Sequence, residues 1–184
     1  MRKLFYYYKP TLAPLRSVME LSDEKVVDFM RSSLPEDTIF HTNPQRCIRQ
    51  RRETEEWLYE TFRTQGGTPS IRHPVYMTLG PASYIEEMGI YSARLEFPLS
   101  SFPKSTVSFT YPDSYVSRLL AKTSDGLFNP KYHGKVFTLS DLDHLLEDGQ
   151  VHNEAWREKG REKDFFIEAQ IWDTTPLKTS ARPA

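Results

Sequence analysis

The sequence predicts an α+β fold: a single domain on a mainly antiparallel β-sheet, either continuous or split, with a helical N-terminal region and short helices between the strands. Two observations predict it. Segments with strand-like alternation are separated by short amphipathic stretches of variable length, an order that fits antiparallel hairpins better than regular βαβ units. Aromatic residues make up 13% of the 184 residues, and they fall mostly on predicted strands, where such side chains suit a half-buried sheet.

We expect one domain over residues 1–177, with a mainly helical part at 1–67, a sheet-rich part at 68–177 and a flexible tail at 178–184. A chain of this length buries about 70% of the surface that its unfolded state exposes. It therefore needs no disulfide framework, and its single Cys47 could not build one.

The N-terminal part is predicted to begin with a strand. Segment 3–9 (KLFYYYK) has the aromatic composition of a half-buried strand. Ser22 is expected to cap a first helix, and residues 38–41 are expected to form a short strand. Asn43 stands before a proline and is expected to start a long helix that ends near residue 65.

The sheet-rich part alternates predicted strands with short helices. Its predicted strands cover residues 71–79, 90–99, 106–111, 135–139 and 165–172. Its predicted helices lie at 81–88, after the cap residue Asp113, after the cap residue Ser140, and in the charged stretch 154–163, for which a loop is the alternative. From residue 174 the chain is expected to be frayed.

Composition and motifs exclude several classes of function. The formal net charge is −1, so the basic field typical of many nucleic-acid-binding proteins is absent. No GxGxxG or GxxxxGK[ST] motif is present, and no histidine or cysteine spacing is typical of a metal site. No apolar run approaches about 18 residues and no signal-peptide core is visible, so we expect no membrane partner and a cytoplasmic location.

The long helix carries four arginines in its first half, followed by four glutamates. The arginines are Arg46, Arg49, Arg51 and Arg52, and the glutamates are Glu53, Glu55, Glu56 and Glu60. Positive charge in this half opposes the helix dipole, and each Arg–Glu pair adds only about 0.2–0.5 kcal/mol. Two interpretations follow: a solvated, self-paired face, or a contact with phosphate groups or nucleic acid, which arginine forks match.

Three predicted strands carry polar side chains that could form a site. The candidates are Arg72, His73 and Tyr76 on the first, Ser108, Thr110 and Tyr111 on the second, and Glu168 and Gln170 on the last. The period of two places Glu168 and Gln170 on one face. A carboxylate on an aromatic strand is costly if it is buried without a partner. Glu168 therefore indicates either a functional group or the solvent face of an edge strand.

The order of these groups resembles the ADP-ribosyltransferase fold of the DNA-targeting toxin type, over about residues 70–177. That fold holds NAD in the cleft of a split antiparallel sheet, with an Arg or His on an early strand, a hydroxyl or Tyr motif in mid-chain and a Glu on a late strand. Arg72 or His73, the run Ser108-Phe109-Thr110, and Glu168 occur in that order. The ending FIEAQIWDTTPL is similar to the last strand of such toxins, although Glu168-Ala-Gln170 reverses the Glu/Gln-x-Glu order of the Arg-Ser-Glu type.

The resemblance implies an NAD-dependent ADP-ribosyltransferase that acts on a protein or nucleic-acid acceptor. Glu168 and Gln170 would be catalytic, and Glu168 would bind a ribose hydroxyl and stabilise the positive charge that develops as the glycosidic bond opens. Tyr76 or Tyr111 would stack on nicotinamide, and Arg72 would pair with the pyrophosphate. The other implied NAD contacts are His73, Ser108 and Thr110. The arginine cluster would favour a phosphate-bearing acceptor.

Two alternatives stay open beside this reading. A non-catalytic module could bind nucleic acid or protein through its aromatic surface and the arginine cluster. The acidic stretch 139–164 instead favours a structural or regulatory partner of another protein. The acceptor and the oligomeric state are not predicted.

Overall fold

Six strands form one antiparallel sheet in the computed structural model, which describes residues 2–9, 15–34, 36, 38–122, 129–147 and 166–180. The strands are β1 Lys3–Tyr8, β2 Val75–Leu79, β3 Ala93–Pro98, β4 Val107–Thr110, β5 Phe137–Thr138 and β6 Glu168–Ile171. Their order across the sheet is β3-β1-β2-β6-β4-β5, and every neighbouring pair is antiparallel. The predicted α+β fold is confirmed, with a continuous sheet rather than a split one.

Seven α-helices accompany the sheet in the described residues. They are α1 Asp23–Ser33, α2 Ile39–Thr42, α3 Pro44–Thr64, α4 Ser83–Glu87, α5 Ser114–Leu120, α6 Leu139–Glu147 and α7 Thr175–Ser180. Helices α1 to α3 contact one another, and α1 and α3 share a small apolar cluster around Val26 and Ile48. None of the described helices is long and apolar enough to cross a membrane. The charged stretch 154–163, predicted as helix or loop, lies outside the described residues.

Helix α3 begins and ends where the local sequence predicts. The Asn43 side-chain oxygen accepts a hydrogen bond from the backbone N–H of Arg46 at 3.3 Å, and Pro44 occupies the first turn. Gly66 follows the helix with a φ of 88°, a conformation that glycine adopts without strain. Asn43 and Gly66 thus set the length of the helix that covers the sheet.

Residues 38–41 were predicted as a strand, but residues 39–41 lie in helix α2 and Thr38 directly precedes that helix. The Thr42 N–H bonds to the Thr38 carbonyl oxygen at 3.0 Å, and the Asn43 N–H bonds to the Ile39 carbonyl oxygen at 2.8 Å. Four residues carry too little periodicity to distinguish a strand from one helical turn. Contacts with α1 and α3, which the local sequence does not show, accompany the helical conformation.

The starts of α6 and α7 also differ from the prediction. Ser140 lies inside α6 rather than at its cap, because the Asp141 carboxylate accepts hydrogen bonds from the Thr138 N–H at 2.8 Å and the Thr138 hydroxyl at 2.6 Å. Helix α7 occupies part of the stretch predicted to be frayed. Its Leu177 is fully buried in the main core, and this burial anchors α7 against the sheet.

The two faces of the sheet differ in character. One face carries the main apolar core, which includes Leu4, Val75, Met77, Val107, Phe109, Ala169 and Ile171. The other, here called the polar face, carries Tyr76, Thr78, Ser108, Thr110, Glu168 and Gln170. Helix α3 packs on the polar face through Leu58 and Phe62, which contact Trp172. Polar side chains of three adjacent strands are therefore buried beneath or beside a helix.

Candidate functional site

Strand β6 places Glu168 and Gln170 on the polar face, and Trp172, directly after the strand, continues the same alternation. The strand lies between β2 and β4, and its register sets Glu168 opposite Thr78 and Thr110. Glu168 is only 6% exposed and Gln170 is 0% exposed. The interpretation of these residues as the solvent face of an edge strand is therefore wrong, since they belong to an interior strand. Their polar groups need partners inside the protein.

A chain of buried hydrogen bonds supplies these partners. The Trp172 indole N–H donates to Ser108 Oγ at 2.8 Å, and the Ser108 hydroxyl donates to Gln170 Oε1 at 2.8 Å. The Gln170 amide N–H groups donate to Thr110 Oγ1 and to Glu168 Oε1, both at 3.0 Å. Each member is buried, so the chain fixes the orientation of the Glu168 carboxylate.

The first turn of α5 holds the same carboxylate from the other side. The backbone N–H of Ser114 donates to Glu168 Oε1 at 3.1 Å, so both hydrogen bonds of Glu168 in the described residues end on Oε1. Asp113 caps the helix, since its Oδ1 accepts from the N–H groups of Tyr115 and Val116 at 3.1 Å. Ser114 Oγ is buried and has no hydrogen-bond partner among the described residues.

The pKa of Asp113 departs from its usual value because Asp113 is buried and lies near Glu168. Burial and the charge of Glu168 raise the pKa of Asp113 to about 7, although Arg51 and the two N–H groups that it caps act in the opposite direction. A carboxyl that exchanges its proton near neutral pH thus lies beside the buried carboxylate of the polar face.

Helix α3 contributes a second polar group, centred on Glu55. This carboxylate is 2% exposed. Glu55 Oε1 accepts from Arg51 Nε at 3.2 Å and from the Tyr76 hydroxyl at 3.1 Å, while Oε2 lies 2.5 Å from His73 Nδ1. The Arg51 guanidinium lies over the Tyr76 ring, 3.7 Å from its centroid. Glu55 therefore ties α3 to β2 and to the segment before it.

Arg51 and Tyr76 have fixed charge states at neutral pH. Burial opposes the charge of Arg51, but Tyr76, Glu168, Glu55 and Asp113 together hold the pKa of Arg51 above its usual value. Burial raises the pKa of Tyr76 well above its usual value, and the opposing effect of Arg51 is smaller. Arg51 is thus a cation among acidic groups, and Tyr76 is a neutral phenol.

A surface cleft of about 230 Å³ lies on the same side of the sheet. It is lined by Tyr7, Glu86, Tyr91, Ser92, Ala93 and Arg94. Tyr7 shares one face of β1 with Phe5, which is paired with Thr78. Two strand spacings, about 10 Å, separate β1 from β6. Burial raises the pKa of Tyr91, and the charge of Arg51 opposes this rise. The polar face therefore extends toward an open region of the surface.

Arg72, predicted as a pyrophosphate contact, precedes β2, and its side chain packs against the exposed surface of α3. Its guanidinium pairs with Glu56 and, at 3.5 Å, with Glu60, and it stacks over the Tyr59 ring at 4.0 Å. In the described residues Arg72 is not part of the hydrogen-bond network of Glu168, whereas its neighbour His73 reaches Glu55. Arg51, and not Arg72, is the arginine whose pKa the charge of Glu168 helps to raise.

Tyr111, predicted as a nicotinamide contact, lies on the apolar side of the sheet. It follows Thr110 directly, so the alternation of the strand turns it toward the opposite face. Its ring packs against Tyr132, with 5.7 Å between the ring centroids. Burial, with a smaller contribution from Tyr132, raises the pKa of Tyr111 to about 12. Of the two predicted stacking residues, the structure brings only Tyr76 to the polar face.

The predicted arginine cluster divides between two environments. Arg51 points toward the polar face, whereas Arg46 and Arg49 are exposed. Arg52 is also exposed and pairs with Asp23 of α1 at 2.5 Å. Three arginines thus remain on the outside of the first half of α3, where a phosphate-bearing partner could reach them.

Three site residues were not predicted from the sequence as site residues: Glu55, Asp113 and Ser114. The sequence shows that Glu55 follows Arg51 by four residues, about one helical turn. Helical periodicity alone does not show which face of α3 packs against the sheet. Asp113 was predicted as a cap, a role that gives no sign of its proximity to Glu168. Only the pairing of strands and the packing of α3 and α5 bring these groups together.

No cluster of three or more His, Cys, Asp or Glu side chains in the described residues could hold a metal ion. No family model matches the chain, and neither a curated protein nor a solved structure matches it. Function is therefore inferred from the chemistry of the polar face.

Proposed function

We propose that the protein is an NAD-dependent ADP-ribosyltransferase that acts on a protein or nucleic-acid acceptor. The observation that carries this proposal is the buried Glu168 carboxylate, which Gln170 and the Ser114 N–H hold by one oxygen. Its other oxygen, Oε2, makes no hydrogen bond among the described residues. A carboxylate oriented in this way is suited to stabilise positive charge on a bound substrate.

The polar groups around Glu168 fit the nicotinamide end of NAD. Among the described residues, the three carboxyl groups of Glu55, Glu168 and Asp113 lie around one arginine, Arg51, so their field favours a positively charged ligand group. Tyr76 offers an aromatic ring beside them. The buried Ser114 hydroxyl without a partner among the described residues adds a polar atom that a ligand could satisfy.

The chemistry assigns a role to each residue. When bound, NAD supplies a glycosidic bond between ribose and a positively charged nicotinamide, and the bonding electron pair leaves with nicotinamide. Glu168 Oε2 would accept a hydrogen bond from a ribose hydroxyl and oppose the positive charge that develops on the sugar. Gln170 keeps the Glu168 carboxylate in one orientation, so little reorganisation is needed as this charge forms.

The direct test is the release of nicotinamide from NAD by the purified protein. Glu168→Gln retains an acceptor for the Ser114 N–H but loses the negative charge, and we expect its rate to fall by about 100-fold or more. The matched control is Glu60→Gln, which changes an exposed carboxylate on α3 and should leave the rate unchanged. A wild-type protein that releases no nicotinamide with any acceptor tested would overturn the proposal.

A second candidate, a non-catalytic module for nucleic acid or an acidic protein, is supported by the exposed Arg46 and Arg49. These side chains lie in the first two turns of α3, where the helix dipole also favours negative charge. Such a module would bind its partner without consuming NAD.

A further inference from the structure

Asp113 and Glu168 are held by the same helical turn. The Ser114 N–H donates to Glu168, and the next two N–H groups, of Tyr115 and Val116, donate to Asp113. Consecutive Cα atoms are about 3.8 Å apart, so donors on three successive residues bring the two carboxyl groups into one small region. Both cap bonds end on Asp113 Oδ1, which leaves Oδ2 outside the cap.

The charges that act on Asp113 come from two other elements. Glu168 of β6 disfavours its ionisation, and Arg51 of α3 favours it. Two polar side chains of α5 turn toward α3: the Tyr115 hydroxyl donates to Gln50 Oε1 at 3.3 Å, and Arg118 lies 3.5 Å from Glu53 Oε2. The Ser117 hydroxyl instead accepts from the Gly134 N–H at 3.0 Å. Asp113 therefore has no cation of its own helix among its described partners.

Asp113 and Glu168 form a pair of carboxyl groups in one partly buried region, and the negative charge of Glu168 opposes the ionisation of Asp113. Asp113 is the member with the strongly raised pKa, about 7, for the reasons given above. A general base works best when its pKa is close to the working pH. Glu168 then provides charge stabilisation, and Asp113 provides proton exchange.

We propose that Asp113 is the catalytic base of the site and accepts the proton of the attacking acceptor group. This inference rests on the proposed transferase function. In the step, the acceptor oxygen or nitrogen forms the new bond to the sugar carbon, and the electron pair of the broken carbon–nitrogen bond leaves with nicotinamide. The acceptor's proton ends on a carboxylate oxygen of Asp113 and passes to solvent before the next turnover.

The kinetic test compares wild type with Asp113→Asn from about pH 5.5 to about pH 8.5, a range that spans the expected titration. Asparagine still caps a helix, so α5 should remain. We expect kcat at high pH to fall by about 100-fold or more, with KM for NAD within about threefold, and the rise of kcat with pH to disappear. Asp113→Glu should restore part of the rate.

The control is Asp143→Asn, which removes an exposed aspartate that pairs with Arg2 and should keep the wild-type pH profile. An Asp113→Asn variant that is folded and keeps both the rate and the profile would overturn the role of Asp113 while leaving the transferase proposal intact. A wild-type protein without NAD turnover would overturn both.

A readout that does not depend on turnover is the NMR titration of the Asp113 side-chain carboxyl. We expect it to titrate near pH 7 in the wild type and at lower pH in Glu168→Gln, because that substitution removes the opposing charge. A titration at the value of an ordinary aspartate, or one that Glu168→Gln does not move, would contradict the carboxylate pair on which the inference depends.

Discussion

Gln170 joins the two parts of the buried network on the polar face. Its carbonyl oxygen accepts from Ser108, and its amide group donates to Thr110 and Glu168. The side chain is fully buried, so these partners have no access to water when it is removed. The stability of the sheet and the orientation of Glu168 therefore depend on the same residue.

Truncation of this side chain should be costly. We expect Gln170→Ala to lower the free energy of unfolding by about 2–3 kcal/mol, since it leaves buried polar groups without partners. Urea denaturation measures the change. Gln45→Ala, at an exposed position of α3, is the matched control and should change stability by less than about 0.5 kcal/mol. Equal effects of the two substitutions would show that the network contributes little.

The raised pKa of Asp113 predicts the sign of a stability change with pH. Its pKa is 3.8 in model compounds and about 7 in the fold, so the folded state binds more protons than the unfolded state between these values. This contribution to stability is present at low pH and is lost as pH rises through about 7. Relative to Asp113→Asn, the wild type should therefore be less stable at about pH 8 than at about pH 5. Urea denaturation at both pH values tests this, and a constant difference between the two proteins would refute it.

The sequence indicated some residues of the site and not others for a physical reason. Glu168, Gln170, Ser108 and Thr110 were found because the period of two puts alternate residues of a strand on one face. Glu55 and Asp113 lie on helices whose orientation depends on tertiary packing. Tyr111 was included only because the family resemblance implied a stacking tyrosine, and the alternation of the strand turns it to the opposite face.

Helix α3 closes the polar face and sets its charge. Its apolar residues Leu58 and Phe62 pack on Trp172, and the Phe62 ring stacks on Trp172 with 6.0 Å between centroids. One turn earlier, Glu55 contacts Arg51, Tyr76 and His73. The helix thus has an apolar contact toward its end and a polar contact near its middle.

The polar contact of α3 should be measurable in stability. We expect Glu55→Ala to cost about 2–3 kcal/mol, less than the roughly 3–5 kcal/mol of a fully buried pair because Arg51 keeps partial exposure. Glu60→Ala changes a carboxylate of the same helix that is 52% exposed and should cost less than about 0.5 kcal/mol. Chemical denaturation of both variants provides the comparison. Similar losses would mean that the Glu55 contacts do not anchor the helix.

Long elements with clear end signals were predicted better than short ones. Helix α3 has Asn43 and Pro44 at its start and Gly66 after its end, and these signals act locally. Helix α2 has only four residues, and its helical conformation is accompanied by contacts with α1 and α3. Helix α7 is ordered by the burial of Leu177 in a core that is distant in sequence.

At the scale of the whole molecule, one sheet separates an apolar core from a polar site. The α+β class and the antiparallel pairing follow from the irregular alternation of strands and short helices. The strand order β3-β1-β2-β6-β4-β5 could not be predicted, because each pairing joins segments distant in sequence. That order is what makes β6 an interior strand and Glu168 a buried group.

The exposed arginines give the binding-module alternative its own test at this scale. If Arg46 and Arg49 contact phosphates, replacing both by alanine should weaken binding to nucleic acid and reduce its salt dependence. Arg63→Ala with Lys104→Ala removes the same charge from other exposed positions and should have a smaller effect. The measurement is the affinity of each double variant for nucleic acid at several salt concentrations. Equal effects of the two double variants would indicate a general effect of net charge.

If the polar face binds NAD, as proposed, thermal unfolding with different nucleotides will reveal it. The unfolding temperature is measured without nucleotide, with ADP and with NAD. We expect NAD to raise it more than ADP does, with about 2.7 kcal/mol of added stability at a concentration 100 times the dissociation constant. An unfolding temperature that is the same without nucleotide, with ADP and with saturating NAD would show that the polar face does not bind NAD.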